Sequence, residues 1–356
     1  MRRALLKLHL VLALLAGAFL LVLGVTGSIM AFEPELDHLL HARRSYVRPH
    51  GSPLALTALA DVASAALPGQ RVTGYVLSAS PDLSYQVLMG RRAVYVDQYT
   101  GQVLDIREPV PDLLSRVHQL HLRLLIQNRS DTGKAIITLT GAVLLVLLAT
   151  GLYLWWPSKR MVIDLRATGR RRWFDVHTTL GIASFVFLLI VTVTGLVIGL
   201  DDRLAPLIYR VTRSAPALMY APPKRFIVKP SGAPIGADRA VEVARATLPG
   251  AAPISVNVPP PNGTYLISAR YPEDRTPGGR SRLVVDQYTG RVLAVESSRT
   301  APAGSRLVTL NRAIHTGDLF GIPSKSIMSL ASLAVVAQLM SGLALWMTAR
   351  SAAARR

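Results

Sequence analysis

Residues 173–200 read WFDVHTTLGIASFVFLLIVTVTGLVIGL, and this stretch decides the fold. It is apolar and long enough to cross a bilayer, which takes about 20 such residues. His177 lies near its start and Thr194 near its end. The segment HLVLALLAGAFLLVLGVTG repeats this arrangement, because His9 and Thr26 are also 17 residues apart (26 − 9 and 194 − 177). An ionisable ring inside a membrane span is costly, so a histidine that recurs in the same place indicates a functional role.

Four apolar blocks occur along the chain, at 8–32, 134–156, 177–200 and 326–348. Each has about the length of a transmembrane helix and carries Lys, Arg, Asp or Glu only at its ends. The first block is longer than the apolar core of a signal peptide, so we expect it to be retained as a span. The sequence therefore predicts an integral membrane protein, mainly α-helical, with four transmembrane helices in the lipid bilayer.

Basic residues in the short connections predict the orientation. Lys and Arg crowd the N-terminus, the loop between the second and third spans and the C-terminus, which fall on one side of the predicted membrane. We expect both termini in the cytoplasm and the two long segments in the periplasm, with the protein in a bacterial inner membrane. The predicted division is first span 1–32, periplasmic domain 33–117, histidine-bearing segment with second span 118–156, cytoplasmic loop 157–175, third span 176–200, periplasmic domain 201–310, histidine-bearing segment with fourth span 311–349, and cytoplasmic tail 350–356.

The two long segments follow one pattern. Each has a predicted helix, Ser52–Leu67 with Ser52 as its N-cap or Asp238–Leu248, followed by alternating apolar runs typical of strands. YVDQYTGQVLD at 95–105 matches VVDQYTGRVLA at 284–294. The DQYTG motif lies between two alternating runs, which indicates a hairpin turn and not a catalytic motif. We therefore predict two small α+β domains within a duplicated two-helix repeat.

Two further histidines, His121 and His315, precede the second and fourth spans at matching places. With His9 and His177 they form two pairs at two depths of a four-helix bundle. This arrangement is suited to two non-covalently bound b-type haems, each with its iron held by two axial imidazoles. A single histidine near a helix end is more often an interfacial residue, and it is the repetition that favours the haem interpretation.

Three other residues are candidates for supporting contacts around the haems. His118 lies three residues before His121 and shares its helix face, but the repeat favours His121 as the iron ligand. Thr26 and Thr194 could bond a haem propionate or a carbonyl of their own helix, and we favour the second. The sequence identifies no catalytic residue.

The composition excludes several classes of protein. The net charge is +19, but much of it belongs to the orientation signal, so we expect no nucleic-acid partner. Cysteine is absent, which excludes disulfides, cysteine-ligated iron–sulfur clusters and covalent haem attachment. The chain has no G-x-G-x-x-G dinucleotide fingerprint, so the electron donor would be a separate protein, a quinol or a small reductant.

The chain resembles the PepSY-associated transmembrane helix family, whose members include iron-regulated inner-membrane proteins and ferric-siderophore reductases. The resemblance is carried by KLHLVLALLAGAFLLVLGVTG, FDVHTTLGIASFVFLLIVTVTG, QLHLRLL followed by TGLYLWWP, and IHTGDLFGIP. It implies PepSY-like periplasmic domains and a di-haem reductase that passes electrons to periplasmic ferric siderophores. By the same resemblance the axial ligands are His9, His177, His121 and His315.

The leading hypothesis is a haem-dependent oxidoreductase that carries electrons from the cytoplasmic side to a periplasmic ferric siderophore or other ferric chelate. Reduction favours release because a chelator with hard oxygen ligands holds Fe(II) less strongly than Fe(III). The first alternative is a non-enzymatic envelope protein whose outer domains bind or inhibit a partner. A transporter of the chelate is the second, because internal repeats are common in transporters.

Overall fold

The computed structural model describes residues 1–126, 130–164, 166–217 and 226–354 of the chain. Of the predicted tail 350–356, the last two residues therefore lie outside the described residues. The chain divides into two compact units. The helical unit comprises Met1–Glu33, Asp112–Leu204 and Leu310–Arg356, and the sheet unit comprises Pro34–Pro111 and Ala205–Thr309.

In each half a long helix is followed by short helices, then four strands, then a further α-helix and a second long helix. The helices are α1 Arg2–Met30, α2 Glu33–Leu40, α3 Ala42–Ser45, α4 Leu56–Ala66, α5 Leu113–Arg123, α6 Thr132–Trp155, α7 Gly169–Gly199, α8 Asp201–Val211, α9 Gly236–Thr247, α10 Ala303–Thr316 and α11 Ile322–Ala354. The strands are β1 Val72–Val76, β2 Tyr85–Met89, β3 Arg92–Val96, β4 Val103–Arg107, β5 Ala252–Asn257, β6 Thr264–Arg270, β7 Ser281–Asp286 and β8 Val292–Glu296.

Four helices of the helical unit, α1, α6, α7 and α11, are long and apolar enough to cross a membrane. α1 packs against α6 and α11, and α7 packs against the same two helices, so α1 and α7 are diagonal partners in a four-helix bundle. The predicted spans are present as helices. α7 begins earlier than predicted, at Gly169, so the arginines at 170–172 occupy its first turn instead of a loop.

The interior of the bundle is apolar, with Leu20, Leu147 and Leu188 buried at its centre. α1 and α11 approach closely at Gly24, where an added Cβ would lie 2.9 Å from the Ser332 carbonyl oxygen. Small residues allow such close contacts between membrane helices. In lipid, van der Waals packing and not the hydrophobic effect drives the helices together. The bundle therefore offers a rigid, low-dielectric scaffold for the histidines.

The sheet unit contains one antiparallel sheet of eight strands, ordered β4-β3-β2-β1-β5-β6-β7-β8. The strands of the two segments, which the sequence analysis assigned to separate domains, thus share a sheet. They join where β1 pairs with β5, with Tyr75 opposite Val256. Gly74 makes this junction possible, because a Cβ there would lie 2.8 Å from the Val256 carbonyl oxygen. Each half contributes four strands connected as a meander.

Helix α4 differs from its prediction at its start. It begins at Leu56, beyond the expected cap at Ser52, and no side chain of its own N-terminal residue caps it. The cap comes from the other half: the Asp238 carboxylate accepts hydrogen bonds from the backbone N–H groups of Leu56 at 2.6 Å and Thr57 at 3.0 Å. Sequence patterns near Ser52 could not indicate this cap, because Asp238 lies 182 residues from Leu56.

The repeated DQYTG motif forms a turn, as predicted. The Asp97 carboxylate accepts from the N–H of Tyr99, and the Asp286 carboxylate accepts from the N–H of Tyr288, at 2.8 Å in each case. The following glutamine has a structural role that the sequence did not indicate. Gln98 is buried and its amide donates to the Leu83 carbonyl, so it ties the turn to the loop before β2. The motif is therefore part of the scaffold.

Candidate functional site

Each of the four predicted histidines contacts a hydroxyl residue on a different helix of the bundle. His9 Nδ1 lies 2.8 Å from Thr150 Oγ1, and His121 Nδ1 lies 2.8 Å from Thr26 Oγ1. His177 Nδ1 lies 3.2 Å from Ser341 Oγ. His315 Nδ1 lies 3.1 Å from Thr194 Oγ1. One contact geometry therefore occurs four times.

The residue after each hydroxyl is glycine: the pairs are Thr26-Gly27, Thr150-Gly151, Thr194-Gly195 and Ser341-Gly342. The imidazole lies against that glycine in every case. An added Cβ would be 2.9 Å from His315 Cε1 at Gly195, 3.2 Å from His121 Cε1 at Gly27, 3.2 Å from His177 Cε1 at Gly342 and 3.5 Å from His9 Cε1 at Gly151. Each hydroxyl–glycine pair is called a histidine seat below. The hydroxyl oxygen contacts Nδ1 of the imidazole, and the glycine leaves room for the Cε1 side of the ring because it has no Cβ.

The hydrogen bonds of the seats determine which imidazole nitrogen carries the proton. Each hydroxyl donates to the carbonyl four residues earlier in its own helix: Thr26 to Val22, Thr150 to Val146, Thr194 to Ile190 and Ser341 to Ala337. Because its hydrogen is committed there, the hydroxyl oxygen faces the histidine as an acceptor. The imidazole must then donate from Nδ1–H. The Nε2 lone pair of each ring is left to bind a metal ion.

At one end of the bundle, where α1 and α7 begin, His9 and His177 approach each other across the diagonal. Their ring centroids are 6.4 Å apart and the rings are nearly perpendicular, at 88°. Two imidazole nitrogens on opposite sides of a metal ion, each about 2.0–2.1 Å from it, are about 4 Å apart, and the ring centroids lie further out on both sides. The observed separation suits two rings bound to one ion. We call this pair of residues the His9 pair.

At the other end of the bundle, where α1 and α7 finish, α5 and α10 bring His121 and His315 to the same two helices. His121 bonds Thr26 of α1 and His315 bonds Thr194 of α7. The two side chains are close enough to interact electrostatically. Asn311 of α10 also donates to the Thr194 carbonyl at 3.2 Å, which fixes α10 on α7. This pair is called the His121 pair.

His118 faces a different partner from its neighbour His121. Its Nδ1 lies 2.7 Å from the Glu33 carboxylate, and both side chains are about one-third exposed. The contact joins α5 to Glu33, the first residue of α2. His118 thus links α5 to Glu33 without occupying a seat, and its predicted role beside a haem stays a prediction.

Thr26 and Thr194 bond back to their own helices, as expected, and in addition hold His121 and His315. Sequence analysis did not identify Thr150 and Ser341, which have equivalent roles for His9 and His177. The signal was present in the recurrence of a hydroxyl residue before glycine at four matching places. A repeated polar residue in an apolar span indicates a specific partner, because an unsatisfied hydroxyl there is costly.

Each pair could supply two imidazole nitrogens to one metal ion. Among the described residues, no group of three or more His, Cys, Asp or Glu side chains is placed to hold a metal ion. An ion at either pair would therefore take its remaining ligands from a group that the protein binds. Between the pairs lie the buried leucines of the bundle interior, and the 17 residues from His9 to Thr26 span about 25 Å at 1.5 Å per residue.

A comparison with protein families matches residues 6–349 to a model described as the PepSY-associated TM region. The match extends over nearly the whole chain, including all four seats. The chain therefore belongs to this family, as its resemblance predicted. A comparison with curated proteins gives no match.

Proposed function

We propose that this member of the PepSY-associated family is a di-haem b oxidoreductase that carries electrons across a membrane to a ferric chelate. The observation that carries the proposal is the fourfold seat, which leaves Nε2 of each histidine available and brings His9 and His177 within 6.4 Å, ring centroid to ring centroid. A haem provides four equatorial nitrogens, so it needs from the protein only the two axial ligands that each pair offers. When bound, haem iron supplies one-electron chemistry by cycling between the ferric and ferrous states.

The protein's part is to place and orient the ligands. His9 and His177 would hold one haem, and His121 and His315 the other. The seats fix the direction of each imidazole before the cofactor binds, because the hydroxyl and the glycine define its position independently. The apolar bundle interior lies between the two sites, and the low dielectric there strengthens the influence of nearby hydrogen bonds on a charged iron.

The orientation follows from the arginines at 170–172 and the other basic residues near the His9 pair. We place this pair at the cytoplasmic side of the inner membrane, with both termini, and the His121 pair at the periplasmic side. Electrons would enter from a separate donor at the first and leave to a ferric siderophore or a related chelate at the second. The net reaction is one electron transferred per Fe(III) reduced to Fe(II).

We also propose that the chain arose as a tandem repeat and that each half of the sheet is a PepSY-like module. This is supported by the matching DQYTG turns, the four-strand meander in each half and the recurrence of the seats on α1, α6, α7 and α11.

The test is made on the full-length protein, purified in detergent from haem-replete cells. A pyridine haemochrome assay is expected to give two b-type haems per chain, with a Soret band that shifts on reduction with dithionite. The reduced protein, mixed anaerobically with a ferric hydroxamate, should be reoxidised as Fe(II) appears in a colorimetric trap. A colourless protein would refute the proposal and favour a partner-binding or transport function. A haem protein that ferric chelates do not reoxidise would refute the substrate but retain the cofactor.

A further inference from the structure

The four seats are alike in form but differ in how many acceptors each imidazole N–H finds. In the first half of the chain, the hydroxyl is the single acceptor among the described residues: Thr150 for His9 and Thr26 for His121, both at 2.8 Å. In the second half, a backbone carbonyl shares the proton. His177 Nδ1 lies 3.2 Å from the Gln338 carbonyl as well as from Ser341 Oγ.

His315 has the same double arrangement as His177. Its Nδ1 lies 3.2 Å from the Val191 carbonyl and 3.1 Å from Thr194 Oγ1. Each pair therefore combines one histidine held by a hydroxyl alone with one held by a hydroxyl and a carbonyl. The acceptors for the His9 pair lie on α6 and α11, and those for the His121 pair lie on α1 and α7.

We propose that Thr150 and Thr26 are positioning residues that set the redox potential of the metal at the His9 and His121 pairs. At the Ser341 and Thr194 seats, a backbone carbonyl is a second acceptor for the imidazole proton, so the hydroxyl matters less. This inference rests on the proposed function. An acceptor for Nδ1–H makes the imidazole a stronger donor at Nε2. A stronger donor stabilises the ferric state, which carries more charge, and so lowers the potential.

Loss of the hydroxyl should therefore raise the potential, and by different amounts at the two kinds of seat. Thr150→Val and Thr26→Val each remove the single acceptor while keeping the shape of the side chain. We expect each to change the ferric-to-ferrous affinity ratio of one haem about tenfold, which for a one-electron couple is about 59 mV upward. Thr194→Val and Ser341→Ala leave the Val191 or Gln338 carbonyl in place, so their shifts should be much smaller.

Matched controls are available in the same helices. Thr140 of α6 and Thr192 of α7 are buried and bond the carbonyl four residues earlier, at 2.8 Å and 2.6 Å, but neither contacts a histidine. Thr140→Val and Thr192→Val should leave both potentials unchanged. Thr150→Ser and Thr26→Ser retain the hydroxyl and should restore potentials close to those of the unsubstituted protein.

The experiment is a spectroelectrochemical titration of each full-length variant, with haem content and thermal unfolding measured on the same samples. The expected result is an upward shift of one of the two waves in Thr150→Val and of the other in Thr26→Val. If both waves stay in place while two haems are bound, the inference is wrong and the proposed function stands. If equal shifts occur at all four seats, the carbonyls do not act as second acceptors. If the unsubstituted protein binds no haem, it is the proposed function that fails.

Discussion

The sharpest test of the ligand assignment compares His121→Ala with His118→Ala. The two residues are three positions apart on α5, so both changes remove an imidazole from the same helix. His121 occupies a seat: its Nδ1 lies 2.8 Å from Thr26 Oγ1 and its ring lies beside Gly27. We expect His121→Ala to lose one of the two proposed haems, which is about half of the total, because only His315 would remain to hold it.

The expected effect of His118→Ala follows from its contact with Glu33. Both side chains are about one-third exposed, and a hydrogen bond of this kind contributes about 1 kcal/mol. A loss of that size loosens the attachment of α5 only slightly, so the variant should keep nearly all of its haem. The folded state of His121→Ala should also persist, because the Thr26 hydroxyl still bonds the Val22 carbonyl at 2.6 Å.

The assay is a pyridine haemochrome measurement normalised to protein, together with the unfolding temperature of each variant. A variant that loses haem but keeps its unfolding temperature has lost a ligand, whereas one that loses both has lost its fold. The reasoning would be refuted by the reverse pattern, in which His118→Ala loses half of the haem and His121→Ala keeps it. Equal loss in both variants, with lowered unfolding temperatures, would show instead that α5 acts only as a structural support.

Three other predictions use the same samples or simple fusions. His315→Ala should lose the same haem as His121→Ala, and the double variant should lose no more than either single variant. His177→Ala should lose the other haem. The pairing would be contradicted if the losses in the His121→Ala and His315→Ala variants added up in the double variant. A reporter that is active only in the cytoplasm, fused after Arg356, should be active, and a periplasmic reporter there should be silent; the opposite result would reverse the sides assigned to the two pairs. Burial, and then the charge of Asp238, raise the pKa of Tyr75 to about 12. The folded protein thus holds this proton more tightly than the unfolded chain, so Tyr75 contributes stability below pH 10 that is lost as pH rises toward 12, and Tyr75→Phe should lessen the alkaline loss of stability in urea unfolding.

Much of the fold could be predicted because it depends on patterns that are local in the sequence. Apolar length predicted the four long helices, and the alternation of apolar residues predicted strands in both long segments. What the patterns could not indicate were pairings between distant segments. The β1–β5 junction, with Gly74 beneath the Val256 carbonyl, and the capping of α4 by Asp238 both depend on contacts that no local period encodes.

The candidate site shows the same division. The repeat identified the four histidines, because each has a counterpart at the matching place in the other half, within a span for His9 and His177 and before a span for His121 and His315. It did not identify Thr150 and Ser341 as their partners, because helical periodicity shows which residues share a face and not which helix that face meets. The bundle order α1-α6-α7-α11 supplies this missing information, since it brings Thr150 to His9 and Ser341 to His177.

The choice of a hydroxyl in every seat has a physical reason that the contrast with His118 makes clear. Histidines that bind metals commonly donate their other N–H to a carboxylate, a carbonyl or water. A carboxylate inside an apolar bundle would add a charge at high cost. His118 is partly exposed and pairs with Glu33, whereas none of the four seats offers its imidazole a carboxylate in the described part of the chain. A serine or threonine whose own hydrogen is committed to its helix is an uncharged acceptor. The seats thus orient four imidazoles without placing a permanent charge beside them.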